Sequence, residues 1–132
     1  MMGGFGKGCS KNLCCRAEVG KKGEDVALEY LKNRGMELVA RNWRSDHKEL
    51  DLVMFDGEFL RIVEVRSLTY PNLQPPEESV DWNKRRKVMS AAKKFASVNV
   101  VQNEIVFDIV SVVFNGENAL VEYIPSAFAP EW

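Results

Sequence analysis

The sequence predicts an α/β domain in which a mixed β-sheet is flanked by α-helices. Three observations predict it. Apolar and polar residues alternate across His47–Ser67, with an Asp56-Gly57 turn signal inside the run. Helically spaced apolar residues stand on either side of that run. Two further apolar runs, separated by Gly116, close the chain.

The chain has 132 residues, near the commonest size for one domain. A single domain over 20–132 is expected, preceded by a flexible amino-terminal arm over 1–19. That arm is rich in Gly, Lys and Cys and lacks the apolar centre of a signal peptide. Cys9, Cys14 and Cys15 are odd in number and crowded together, which suits a reduced, cytoplasmic chain better than a disulfide framework. No apolar run approaches the roughly 18 residues of a membrane span, so no membrane partner is expected. The net charge of −1 leaves any nucleic-acid surface to local clustering of basic residues.

Taken in order, Ala27, Leu28 and Leu31 predict a helix over Glu24–Asn33, which Gly35 stops. An extended run, Glu37–Trp43, follows. Leu50, Leu52 and Met54 alternate with Glu49, Asp51, Val53 and Phe55, which predicts a strand. Asp56-Gly57 tolerates the positive φ of a two-residue hairpin turn, and the return strand runs over Phe59–Arg66. Three prolines make 69–76 a loop. Val88, Ala92 and Phe95 predict a second helix from about Asp81. The last strands are expected over Glu104–Phe114 and Ala119–Ile124.

A two-residue loop would set Phe55 opposite Glu58, Asp51 opposite Ile62 and Glu49 opposite Glu64. Glu49, Asp51, Glu64 and Arg66 then share one face of the sheet. Leu50, Leu52, Met54, Phe59 and Val63 share the other, with Arg61 as the exception. Adjacent carboxylates repel, and a sheet tolerates them when a cation sits among them or one is protonated. Oxygen donors suit Mg²⁺ or Mn²⁺. The same pattern also fits a solvated face bearing ordinary charges. Glu24 falls on the inward stripe of the first helix, as a further acid for this centre or as a first-turn glutamate favoured by the helix dipole.

Gly23-Glu24 with Ala27 and Tyr30-Leu31, Arg41-Asn42, Glu49-Leu50-Asp51-Leu52-Val53, Val63-Glu64-Val65-Arg66 and Phe107-Asp108-Ile109-Val110 together resemble the bacterial YraN family. The resemblance runs from about Gly20 to Phe128. It implies a restriction-endonuclease-like fold, similar to that of Holliday-junction resolvases, and a metal-dependent endonuclease acting on DNA, branched DNA included. RNA stays open as a partner, and a homodimer is expected by analogy. Carried over, the implied catalytic residues are Asp51, Glu64, Arg66 and Glu24, with Mg²⁺ or Mn²⁺ as cofactor. Asp51 and Glu64 would hold the ion, and Glu49, on the face shared with them, is the third candidate ligand. The chain departs from the pattern at Arg66, where the family usually has lysine, and at Leu68, where it usually has arginine. Arginine stays protonated and cannot act as a general base. A nucleic-acid-binding module without catalysis is therefore the alternative reading.

Lys84, Arg85, Arg86 and Lys87, with Lys93 and Lys94 further on, form an acid-free basic run suited to phosphate contacts or to a solvated helix face. Tyr70, Asn72 and Trp82 flank the proline-rich loop, where they suit base stacking or, for Trp82, packing. His47 stands at the mouth of the acidic strand, as a proton shuttle or a surface turn residue. Asp108 lies within an apolar strand and needs a structural hydrogen-bond or salt-bridge partner.

Overall fold

The computed structural model describes residues 12–71 and 82–130, with side chains from Glu18 onward in the first helix. Cys9, Asn72 and the side chains of Cys14 and Cys15 lie outside the described residues. Helix α1 (Asn12–Asn33) leads into β1 (Glu37–Ser45), β2 (Lys48–Phe55) and β3 (Leu60–Thr69). Helix α2 (Trp82–Asn99), β4 (Ile105–Asn115) and β5 (Asn118–Phe128) follow. The sheet order is β1-β2-β3-β4-β5, antiparallel except for the parallel β3–β4 pair joined through α2. This is the expected mixed sheet flanked by helices, and it agrees with a restriction-endonuclease-like fold.

The helices cover opposite faces of the sheet. Ala27 and Leu31 of α1 pack with Leu52, Met54, Val63, Val110 and Val112. Val88, Met89, Ala91, Ala92 and Phe95 of α2 pack with Val53, Leu60, Ile62, Phe107 and Ile109. Each fully buried Leu, Val, Ile or Phe contributes about 1.5–3 kcal/mol by leaving water. Trp43 meets Phe95 edge-on, with ring centroids 5.2 Å apart, and ties β1 to α2.

Helix α1 begins at Asn12, well before the expected start at Glu24. Nothing in 12–22 except Gly20 opposes helix, but Gly20 and Gly23 obscure the apolar spacing there. The helix ends as the sequence predicts. Gly35 has φ +95°, and the Met36 and Gly35 N–H groups donate to Leu31 and Lys32 carbonyls. That pair of bonds is a Schellman cap.

The β2–β3 hairpin differs from the expected register. Phe55 pairs with Leu60 and Val53 with Ile62, so the loop holds four residues, Asp56–Phe59. The cause is the Asp56 side chain. Its Oδ1 accepts the Glu58 and Phe59 N–H groups at 2.8 and 2.7 Å, and Gly57 takes φ +100°. A local side-chain turn thus replaces the two-residue one. Asp51 is not opposite Ile62, but the slip is an even one, and an even slip preserves faces.

A second correction lies in β2 itself. Leu50 packs with Val53 toward α2, whereas Leu52 and Met54 pack toward α1. Strict alternation is interrupted at Asp51. Opposite it, between the pairs Arg41–Leu52 and Trp43–Leu50, Asn42 has φ +52°. A left-handed residue inside β1 kinks the ribbon and resets which side faces the core.

Candidate active site

The kink and the hairpin together open the sheet. The β2–β3 register ends at Leu52–Val63, although β2 continues along β1 to Lys48 and β3 continues along β4 to Thr69. Where the ladder would continue, the Asp51 side chain takes its place: Oδ2 accepts the Val65 N–H at 3.0 Å. Asp51 therefore bridges two diverging strands. Glu64, 5% exposed, stands on β3 beside it. Burial, then the charge of Glu64, pushes the Asp51 carboxyl up to about 7, with Glu24 adding to the rise. The Val65 N–H bond and the Lys84 charge only partly offset this. A half-buried carboxyl raised in this way beside a second acid is a place where a cation or a proton is held.

Glu24 reaches this centre from α1. Its Oε1 accepts from Arg41 Nε and Nη2, both at 3.4 Å, while Arg41 Nη2 also lies 2.7 Å from Asp25 Oδ1. Gly23 explains how α1 comes so near. A Cβ at that position would overlap the Ser67 hydroxyl and fall 2.9 Å from the Ser67 Cβ. Only a residue without a side chain lets the helix lie against β3 here. The Gly23-Glu24 pair is thus a contact device followed by the acid it delivers.

On the other face, α2 delivers Lys84. Its Nζ lies 2.7 Å from Glu64 Oε2. A cleft of about 660 Å³ opens there, lined by His47, Glu49, Asp51, Glu64, Lys84 and Lys87 among others. The basic run on α2 divides by position. Lys84 and Lys87 face the cleft. Arg85 lies over the Phe128 ring, its guanidinium 5.1 Å from the ring centroid. Arg86, Lys93 and Lys94 are exposed. The Lys84–Glu64 contact has no signature in the linear sequence. Its cleft neighbours Asn83, Lys87 and Ser90 do have one, at helical i, i+4, i+7 spacing.

Arg66, two residues beyond Glu64, is half-buried, and its Nε is buried without a hydrogen-bond partner. Glu49 is not brought opposite Glu64. Across β1–β2 it pairs with Arg44, with Oε2 3.5 Å from Arg44 Nη2. Among the described residues no group of three or more His, Cys, Asp and Glu side chains is placed to hold a metal together. The expected trio Asp51, Glu64 and Glu49 is thus not assembled. His47 is exposed on the Asp46-His47 turn at the cleft mouth, and Tyr70 and Trp82 are exposed as well.

Arg61 and Asp108 explain each other. Arg61 Nη1 donates to both Asp108 oxygens at 3.1 Å, and its Nε donates to Asp56 at 2.7 Å. Tyr123 Oη and Ser126 N also donate to Asp108, at 2.7 and 2.8 Å. The expected structural role of Asp108 is what the geometry shows.

The model of the uncharacterised protein family UPF0102 matches residues 23–112. The chain belongs to this family. A UPF0102 protein of Anaeromyxobacter dehalogenans is 40% identical over 114 residues, which cover 86% of this chain and 85% of that one. Those of Bacteroides thetaiotaomicron (35% over 113 residues, 86% and 93%) and Porphyromonas gingivalis (34% over 111 residues, 83% and 82%) are similar over nearly the same span. This is the family to which the motifs pointed under the name YraN. The span matched to UPF0102 contains Glu24, Asp51, Glu64, Arg66 and Lys84 and ends before β5. Among the described residues no helix is long and apolar enough to cross a membrane.

Proposed function

We propose that this UPF0102 chain is a divalent-metal-dependent phosphodiesterase acting on nucleic acid, with DNA, branched DNA included, as the substrate class. The observation that carries the reading is Asp51, raised to about 7 by burial beside Glu64 at the point where the sheet divides. A fold gains no stability from a half-buried carboxylate set against a buried one, so the pair supports a shared cation. The donor set fits Mg²⁺ or Mn²⁺, since Mg²⁺ keeps several waters and needs only one or two carboxylates. Asp51 and Glu64 would hold the ion, and Glu24 would add its negative charge from α1. When bound, such an ion lowers the pKa of a coordinated water and offsets charge on a phosphoryl oxygen.

The chain's own groups supply the rest. Lys87 lines the cleft and the exposed Arg86, Lys93 and Lys94 stand on the same helix, so α2 offers a basic track for a nucleic-acid backbone. Arg66, half-buried two residues beyond Glu64, adds a permanent positive charge on β3. Trp82, exposed at the start of α2, and Tyr70, exposed just beyond β3, suit stacking on an unpaired base.

The test is incubation of the purified protein with branched, nicked and single-stranded DNA in Mg²⁺ or Mn²⁺. Cleavage that disappears in Asp51→Ala is expected. No cleavage above the Asp51→Ala background on any substrate would sink the hydrolytic reading. Arg66 at the usual lysine position favours one other reading, a nuclease-like module that binds nucleic acid without cutting it. Salt-dependent binding without cleavage is its signature.

A further inference from the structure

We propose that Lys84 supplies from α2 the lysine that the strand motif lacks, and meets the scissile phosphate at the carboxylate pair. The inference rests on the nucleic-acid reading above and deepens it. The motif Glu64-Val65-Arg66 places a guanidinium two residues after the acid. An ammonium nevertheless reaches the same acid, at 2.7 Å, from a different element. Lys84 is 41% exposed in its side chain while Glu64 is 7% exposed. The amine thus touches a buried carboxylate at one end and open cleft at the other. Its charge also acts on Asp51, so a single ammonium addresses both acids of the centre.

The placement is unfavourable for the helix taken alone. Lys84 lies in the first turn of α2, which holds no acid, and Arg85, Arg86 and Lys87 follow it. A cation there opposes the helix dipole, and its like-charged neighbours add to the cost. Glu64 offsets that cost only because α2 packs directly over β2 through Val88 and Phe95. Arg66 is less suited to the task. Its Nε is already buried, and a planar guanidinium delivers its donors in a fixed fork. A lysine at the cleft surface is a compact, mobile charge able to follow a phosphoryl oxygen as charge builds on it.

In the hydrolysis, the oxygen of one water bonds phosphorus. The bridging P–O bond breaks with its electron pair on the sugar oxygen. That oxygen takes up a proton equivalent to the one the water releases. Lys84 stays protonated throughout and donates hydrogen bonds to a non-bridging oxygen.

The experiment has a binding arm and a cleavage arm. In the first, affinity for a four-way DNA junction is measured against salt in Ca²⁺, for the parent, Lys84→Met, Lys84→Arg and Lys32→Met. Thermal melts confirm folding. Loss of one phosphate contact flattens the log K against log salt slope by about 0.9. That flattening is expected in Lys84→Met and absent in Lys84→Arg and in Lys32→Met, which alters an exposed lysine at the end of α1. An unchanged slope in Lys84→Met overturns the proposal, whether or not the parent cuts DNA.

In the cleavage arm, Lys84→Met is expected to lose about 10²–10³ in kcat, the usual effect of removing one donor to a developing oxyanion. Adding Arg66→Lys to Lys84→Met should restore part of the loss, while Arg66→Lys in the parent should gain little. A gain above about tenfold from Arg66→Lys alone, or kcat in Lys84→Met within about threefold of the parent, would show that Lys84 does not hold this role. If the parent cuts nothing but Lys84→Met still flattens the salt slope, the hydrolytic reading fails and the phosphate contact of Lys84 stands.

Discussion

Two buried acidic centres sit on this one sheet, and they are built on opposite principles. Asp108 is fully buried, and its oxygens take bonds from Arg61, Tyr123 and the Ser126 N–H. The Ser126 bond also fastens the irregularity in the β4–β5 register beside Asp108. Burial and the Asp108 carboxylate together hold the Tyr123 phenol above its ordinary range. Asp51 is half-buried; among the described residues its hydrogen-bond donor is the Val65 N–H, and its neighbours include two other acids. Burial alone therefore does not mark a functional carboxylate. What separates the two is whether the fold has already satisfied the charge.

The largest expected effect breaks the satisfied centre. Asp108→Ala leaves the Arg61 guanidinium, 15% exposed, with Asp56 as its remaining acid and takes the acceptor from Tyr123 and the Ser126 N–H. Removing one partner of a buried pair costs about 3–5 kcal/mol. A urea titration at pH 7 should show that loss, and a loss under about 1 kcal/mol would mean that the network contributes little to folding.

The opposite sign is expected at the unsatisfied centre. In ion-free protein the Asp51 carboxyl lies at about 7 against an ordinary 3.8, so the folded state binds its proton more tightly than the unfolded chain does. Its ionisation therefore costs nothing below about pH 4, costs progressively more as pH rises toward 7, and levels off above. Asp51→Asn keeps an acceptor for Val65 N–H and removes the charge. It should stabilise the ion-free protein at pH 8 by as much as ~4 kcal/mol, the ceiling set by a shift of about three units. Melts in EDTA should show that gain shrinking toward zero by pH 4. A gain independent of pH would place the strain elsewhere.

The smallest effect sharpens how the acids are delivered. Gly23→Ala should cost about 1–3 kcal/mol through overpacking against Ser67. Gly23→Ala with Ser67→Gly should recover most of it. If the single variant loses Mn²⁺ affinity while the double variant regains it, the close approach of α1 is what brings Glu24 to the site.

Much of this was legible in the residues, for identifiable reasons. The alternation in 49–55 and 60–66 marked both central strands, because a half-buried sheet imposes period two. Gly35 marked the end of α1, because φ +95° excludes most other residues. Asp51 and Glu64 were recognisable as acids inside apolar strands, and an even register slip kept that reading intact. The four-residue hairpin was not legible, since an Asp-Gly pair serves either a tight turn or an Asx turn. The displacement of Glu49 from Glu64 was not legible either, because it follows from the same two-residue slip of the hairpin.

The sequence by itself determined the elements, the family and the identity of the acids, because periodicity, turn chemistry and motif spacing are local properties. Only the tertiary structure decided that β2 and β3 part at Asp51, that Asp108 is neutralised by Arg61, and that Lys84 reaches Glu64 from α2. Each of these joins residues 14 to 47 positions apart through packing of a helix or strand. No local pattern encodes such pairs; they arise only when the two cores close on the two faces of the sheet.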